Sequence, residues 1–210
     1  MAFIGRVAKE KSIDMVLRAL PALLLRVPRA RFLVVGDGPE RLNLEKLAQE
    51  ACPPGSFMFA GPRTWADIPD YYRAADVFVT ASITETQGLT VLEAMAAEVP
   101  VVARLDPSFS SMIDDGVDGL LFSNQDTLVD ALSRVLNEPS LSASLVRAAR
   151  GKALDYSAEV FGESVEALYN EIIRRKTETE RARSAKTNGF PRKISLWTLR
   201  IRRNLRQFVR

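Results

Sequence analysis

Residues 76–103 read DVFVTASITETQGLTVLEAMAAEVPVVA. The stretch divides into an apolar strand, a polar turn holding Glu85, Gln87 and Gly88, a helix carrying Glu93, and a second apolar strand. Gly88 lets the backbone come close to a ligand, and the amides of Gln87 to Leu89 stand at a helix start, where free N–H groups favour anions. Glu85 would repel a phosphate and so suits neutral hydroxyls. Glu93, about one turn into the helix, suits a vicinal diol such as ribose. Eight helical residues span about 12 Å, enough to set the two carboxylates on opposite sides of a diphosphate. On spacing alone a second reading stands beside this one, in which Glu85 caps the helix and Glu93 is a solvated helix residue.

Working outward, the same alternation of apolar runs and helical patterns continues in both directions. Phe3-Ile4-Gly5 reads as the end of a strand. Ser12 is placed as the N-cap of a helix with Ile13, Val16, Leu17, Leu20, Leu24 and Val27 at helical spacing, and Pro28 marks its end. Strands are expected at 31–36, 57–60, 76–80, 99–103 and 119–122, and helices from the turn at 37–39 to about Ala51, then at 67–74, 89–97, 126–137 and 140–153, with a plain loop after Ala103. Continuously apolar strands that alternate with helices imply an α/β fold, a doubly wound, Rossmann-like parallel sheet covered on both faces. Such a sheet binds its ligand beyond the carboxyl ends of its strands. The turns at 5–11, 36–39, 61–63 and 81–89 then share one rim.

Composition narrows the chemistry. With 47% hydrophobic and 26% charged residues over 210 positions, the chain is an ordinary globular one. It has no histidine, which removes Ser-His-Asp and Cys-His catalysis and most zinc sites. Its single cysteine, Cys52, allows no internal disulfide, fits a reducing compartment, and reads as a structural thiol. No run of 18 apolar residues occurs, and the start MAFIG has neither a basic region nor a long apolar core, so no signal peptide is expected. The net charge of +3 conceals a division: residues 1–173 carry 16 Lys and Arg against 24 Asp and Glu, whereas residues 174–210 carry 13 against 2.

Two further rim turns bear on a ligand. Arg6, Lys9 and Lys11 follow the first strand within six residues, and cations on such a loop suit phosphate, Arg bidentately and Lys as a point charge. Gly36-Asp37-Gly38 lacks the third glycine of a dinucleotide fingerprint, Arg41 standing there instead, which argues against a nicotinamide enzyme. That turn is either a tight strand-to-helix connection or a contact near a nucleotide base.

GRVAKEK at 5–11, VVGDGP at 34–39, TETQGLTVLEAMAAEVPVVA at 84–103 and DGVDGLLF at 115–122 together resemble the C-terminal, donor-binding domain of retaining glycosyltransferases of family 4, group 1, with the GT-B fold. YSAEVFGESVEALYNEII at 156–173 is similar to that family's closing helix, so the resemblance covers about residues 1–173. It implies a nucleotide-sugar donor, most closely a UDP-sugar, with Arg6 and Lys11 on the diphosphate, Glu85 as the catalytic-site carboxylate on the sugar hydroxyls, backbone donors at Gln87, Gly88 and Leu89, and Glu93 on the ribose. No metal or other cofactor is expected. The wording TETQGLT, with Gln87 where many members carry Phe, resembles lipid glucosyltransferases that use diacylglycerol. The chain departs from the family in three ways. Ser12 and Glu98 replace usual glycines, and a left-handed cap at Glu98 would cost about 1 kcal/mol. The family's N-terminal, acceptor-binding domain, which contributes a histidine near the transferred sugar, has no counterpart here. The alternative reading is therefore a non-catalytic remnant or partner subunit that needs a separate N-terminal half.

The expected organisation is a nucleotide-sugar-binding domain over 1–153, a closing helix over 154–183, and a linker with a basic amphipathic tail over 184–210. In ISLWTLRIRRNLRQFVR (194–210), Ile194, Trp197, Ile201, Leu205 and Phe208 recur three or four apart with arginines between them. Trp197, Arg200, Arg203 and Arg206 make this a membrane-surface element, each arginine gaining about 1 kcal/mol near anionic lipid before screening. A helix packed on the missing domain is the competing reading, and nucleic acid is a weaker one. The chain is thus expected in the cytoplasm, peripheral at the inner membrane face.

Overall fold

The computed structural model describes residues 1–85 and 88–186, with side chains up to residue 179. A compact unit spans Met1–Val160, and a second begins at Phe161. Six strands form one parallel sheet: β1 Ala2–Ile4, β2 Phe32–Val35, β3 Phe57–Gly61, β4 Phe78–Thr80, β5 Val101–Arg104 and β6 Leu120–Phe122. Their order across the sheet is β3-β2-β1-β4-β5-β6. The chain winds one way from β1 to β3, then the other way from β4 to β6, so the direction reverses between β1 and β4. The doubly wound parallel sheet expected from the sequence is therefore present.

The strands are short and, apart from the edge strand β3 with its exposed Met58, largely buried on both faces, which is why they read as unbroken apolar runs rather than alternating ones. On one face, Phe3, Val34, Val79, Val102 and Phe122 pack under α1 (Ile13–Arg26), α2 (Arg41–Ala51) and α6 (Gln125–Asn137). On the other, Ile4, Val35, Phe78, Val101 and Ala103 pack under α3 (Ile68–Arg73), α4 (Leu89–Ala96), α5 (Pro107–Ser110) and α7 (Pro139–Asp155). A long helix, α8, runs Ala158–Lys186. Among the described residues no helix is long and apolar enough to cross a membrane. Trp197, Arg200, Arg203 and Arg206 lie outside the described residues.

Cys52 gains a specific role here. Pro21 stands inside α1 and has no N–H, so the carbonyl of Leu17, four residues earlier, lacks its helical donor. The Cys52 thiol donates to that carbonyl at 3.3 Å from the end of α2. Burial pushes the Cys52 thiol above its ordinary pKa. The structural reading of this cysteine holds, and its reason is a proline 31 residues away in sequence.

Three local expectations change or sharpen. Ser12 precedes α1 but makes no side-chain cap; it sits at φ 46° and ψ 40°, closing a 3-10 turn over Lys9–Lys11. A residue in that left-handed region strains the junction rather than capping it, which explains why a glycine is usual there. The loop after β5 contains α5, whose Asp106 side chain accepts from the Ser108 amide. At Glu98 the backbone adopts φ 59°, as expected of a left-handed helix end. The Glu98 amide donates to Met95 and the Val99 amide to Ala94, a complete Schellman closure of α4. Glu98 also pairs with Arg150 of α7 at 3.1 Å, which offsets its position at the negative end of the α4 dipole.

Candidate functional site

Where the winding reverses, the ends of β1 and β4 leave a crevice, the place at which doubly wound sheets take ligands. A cleft of about 660 Å³ lies there, walled by Gly5, Arg6, Lys11, Thr80, Glu85 and Thr90 among others. Three of the sequence-chosen residues, Arg6, Lys11 and Glu85, thus line one cavity. Gly88 and Leu89 sit at the start of α4, whose Thr90 reaches the same wall. Gln87 lies outside the described residues.

The loop after β1 and the turn after β2 form one floor. The Gly5 amide donates to Val35, the Val7 amide to Asp37, and the Glu40 amide to Val7. Side chains at Gly36 or Gly38 would drive a Cβ into the backbone of Gly5 or Val7. Gly36-Asp37-Gly38 is therefore glycine-rich because main chain meets main chain. Asp37 itself accepts from the Gly38 amide at 2.8 Å.

Above this floor, Lys11 Nζ donates to Glu85 Oε2 at 2.8 Å, both side chains being about four-fifths buried (19% and 18% exposed). Glu85 does not cap α4. The cap position is Gly88, at φ 57°, and no side chain among the described residues serves it. Arg6 is more exposed and pairs with Glu10, four residues along the rim loop. The Glu10 carboxyl is held below its ordinary range by its own backbone amide and by the Arg6 guanidinium. The Ile83 amide donates to the Glu10 carbonyl at 3.0 Å, tying the two rim loops together.

The start of α4 is held from behind. A Cβ at Gly88 would lie 2.8 Å from Met112 Cε, so Met112 fills the space a side chain would need. Ser108 Oγ, on α5, donates to the Glu85 carbonyl at 2.6 Å. Lys152 of α7 donates to the Met112 carbonyl at 2.7 Å and pairs with Asp114 at 3.0 Å and with the buried Asp118. None of these supports was selected from the sequence; the Asp106-Pro107 pair, a cap followed by an N1 proline, was the available sign of α5.

Glu93 is half-buried on α4 and does not border the cleft with the others. Its Oε2 accepts a 2.8 Å hydrogen bond from the hydroxyl of Tyr72, on α3. Tyr72 is buried (2% exposed) and its ring lies 5.7 Å from that of Phe78. Burial, and then the Glu93 charge, push the Tyr72 hydroxyl far above its ordinary pKa, so it remains a donor. Sequence reading placed Tyr72 in a short helix without a role. Its neighbour Tyr71 stacks under Arg63 instead.

The sequence profile described as Glycosyl transferases group 1 matches residues 1–152. The chain belongs to that family. Among curated relatives, alpha-monoglucosyldiacylglycerol synthase of Acholeplasma laidlawii is 36% identical over 170 residues, covering 81% of this chain and 43% of that protein. D-inositol 3-phosphate glycosyltransferase of Saccharomonospora viridis is 37% identical over 184 residues, covering 82% of this chain and 43% of that one. The chain thus spans about two-fifths of the length of these relatives. Among solved structures, sucrose-phosphate synthase from Thermosynechococcus elongatus superposes with a TM-score of 0.73 at 26% identity, over 83% of this chain and 45% of that one. The C-terminal domain of LpcC, a glycosyl transferase group 1 family protein from Francisella tularensis, gives 0.67 at 25% identity, over 74% of this chain and 84% of that domain. Similarity to a solved C-terminal domain over most of its length matches the part of the family fold recognised in the sequence.

Proposed function

We propose that this chain is the donor-binding half of a retaining glycosyltransferase that moves a hexose from a UDP-sugar to a membrane lipid. The observation that carries the reading is the cleft at the β1–β4 reversal, where Lys11, Arg6, Glu85 and the start of α4 converge. Arg6, Lys11 and the amides at Gly88 and Leu89 receive the diphosphate, stabilising the charge that develops on the leaving group. Glu85, paired with Lys11 in the absence of ligand, holds the sugar hydroxyls once the diphosphate draws on that cation. Glu93 receives the ribose. No metal or other cofactor is part of this reading, because the countercharge is assigned to side chains and helix amides.

The lipid acceptor is supported by the relatives of 36% and 34% identity, both alpha-monoglucosyldiacylglycerol synthases, and by the basic, Trp-bearing pattern of 194–210. The inner face of the membrane, with its anionic lipid, is the surface that charge fits. Residues beyond this chain supply the acceptor side. Calorimetry with UDP and UDP-glucose tests the donor role: heat with both supports it, and folded protein giving none with either overturns it. Cosedimentation with anionic but not neutral vesicles, lost in Arg200→Ala/Arg203→Ala/Arg206→Ala, tests the membrane role.

A further inference from the structure

Glu93 lies one helical turn beyond Thr90, which lines the cleft, and a ribose diol needs its rotatable carboxylate in one orientation. Among the described residues Tyr72 is its hydrogen-bond partner: the hydroxyl donates to Glu93 Oε2 at 2.8 Å and lies 3.1 Å from the Thr90 carbonyl in the same helical turn. Of the two acceptors the carboxylate is the closer and the charged one, so it takes the proton. Tyr72 is itself fixed, 2% exposed and packed on Phe78 of β4. The hydroxyl therefore links an immobile ring at the core to the one side chain assigned to the ribose. It engages Oε2, and among the described residues Oε1 carries no hydrogen bond, so it can accept from a ligand.

We infer that Tyr72 is a positioning residue for ribose recognition, holding the Glu93 carboxylate so that the site distinguishes a ribonucleotide from its deoxy counterpart. The inference rests on the assignment of Glu93 to the ribose. Without the Tyr72 hydroxyl the carboxylate is free to rotate, and the discrimination falls although the charge remains. Glu93 then gives up orientation entropy on binding that the native site has already lost in folding.

The test is calorimetry on the full chain with UDP and 2′-deoxy-UDP, for wild type and Tyr72→Phe. The wild type is expected to prefer UDP by about tenfold, the scale of one hydrogen bond to a charged group. Tyr72→Phe should reduce that preference to about twofold while its affinity for 2′-deoxy-UDP stays within about twofold of wild type. Loss of packing alone would weaken both ligands together and leave the ratio intact, so an unchanged ratio overturns the inference and spares the donor-site reading. A wild type that binds UDP without preferring it overturns the ribose assignment and this inference. A wild type that binds neither ligand overturns the donor site as well. Should Tyr72→Phe fail to fold, Glu93→Asp carries the same test: drawn back by one methylene, the carboxylate cannot keep both partners, and a preserved tenfold preference overturns the inference.

Discussion

Lys11 Nζ and Glu85 Oε2, 74 residues apart in sequence, meet at 2.8 Å inside the cleft. A diphosphate that takes Lys11 must take it from Glu85, and the carboxylate so released is the group assigned to the sugar. The pair therefore couples the two halves of a nucleotide-sugar, phosphate engagement freeing the sugar ligand. Glu85→Gln removes both the competitor and its repulsion. We expect it to bind UDP about threefold more tightly than wild type, and to lose the extra affinity that UDP-glucose has over UDP. Titration calorimetry with the two ligands reads both effects, and weaker UDP binding by Glu85→Gln would contradict the coupling.

Gly88 and Gly55 both adopt positive φ, at 57° and 78°, but only Gly88 faces a wall. Alanine at Gly55 should cost about 1 kcal/mol, the backbone strain alone. Alanine at Gly88 should cost about 2 kcal/mol, because Met112 must shift as well. Urea denaturation of the two variants separates strain from contact.

The Pro21–Leu17–Cys52 arrangement predicts a non-additive pair. Cys52→Ala leaves the Leu17 carbonyl without a donor and should cost about 2 kcal/mol, part cavity and part orphaned acceptor. Pro21→Ala returns a backbone N–H to that carbonyl. In the Pro21→Ala background, Cys52→Ala should therefore cost about 1 kcal/mol less, as a double-mutant cycle by chemical denaturation would show.

Alkaline stability should follow Tyr72 and Cys52. Burial raises both pKa values in the folded state, from ordinary values of 10.0 and 9.0. A raised folded value means the unfolded chain loses its proton first. The contribution is whole below pH 9 and is lost as pH climbs past 9 and then 10. Urea midpoints measured from pH 8 to 11 should fall for wild type and fall less for Tyr72→Phe/Cys52→Ser, measured against each protein's own value at pH 8.

Glu98→Gly relieves a left-handed conformation worth about 1 kcal/mol but gives up an exposed pair with Arg150 worth about 0.5 kcal/mol or less. The variant should melt slightly higher than wild type. Arg150→Ala should shift the melting point downward by less, in differential scanning calorimetry.

The sheet was legible because its central strands are buried on both faces and leave unbroken apolar runs such as VFVT and PVVA, while Ile13, Val16, Leu17 and Leu20 betray α1 by spacing alone. The cleft's members Arg6, Lys11 and Glu85 were legible as charged residues on turns that a parallel sheet must bring to one rim. What eluded the sequence depends on partners far along the chain. Nothing local marks Tyr72 as the donor to Glu93, 21 residues later, or Cys52 as the substitute for a proline's absent amide. Ser12 was misread because Ser before a helix usually caps it; the tight 3-10 turn ahead of it forces the left-handed backbone instead. Helix α5 is too short, at four residues, to show periodicity.

The seam of main chain between residues 5–7 and 36–40 has an engineering consequence. With no side chains between them, the two turns cannot adapt to a foreign neighbour, since even one added methyl at Gly36 would meet the Gly5 carbonyl. They should be transplantable only as one cassette. Redesign of donor preference would then proceed by exchanging side chains around this frame, at position 6 within it and at 11, 85 and 93 beyond it, and leaving the frame whole.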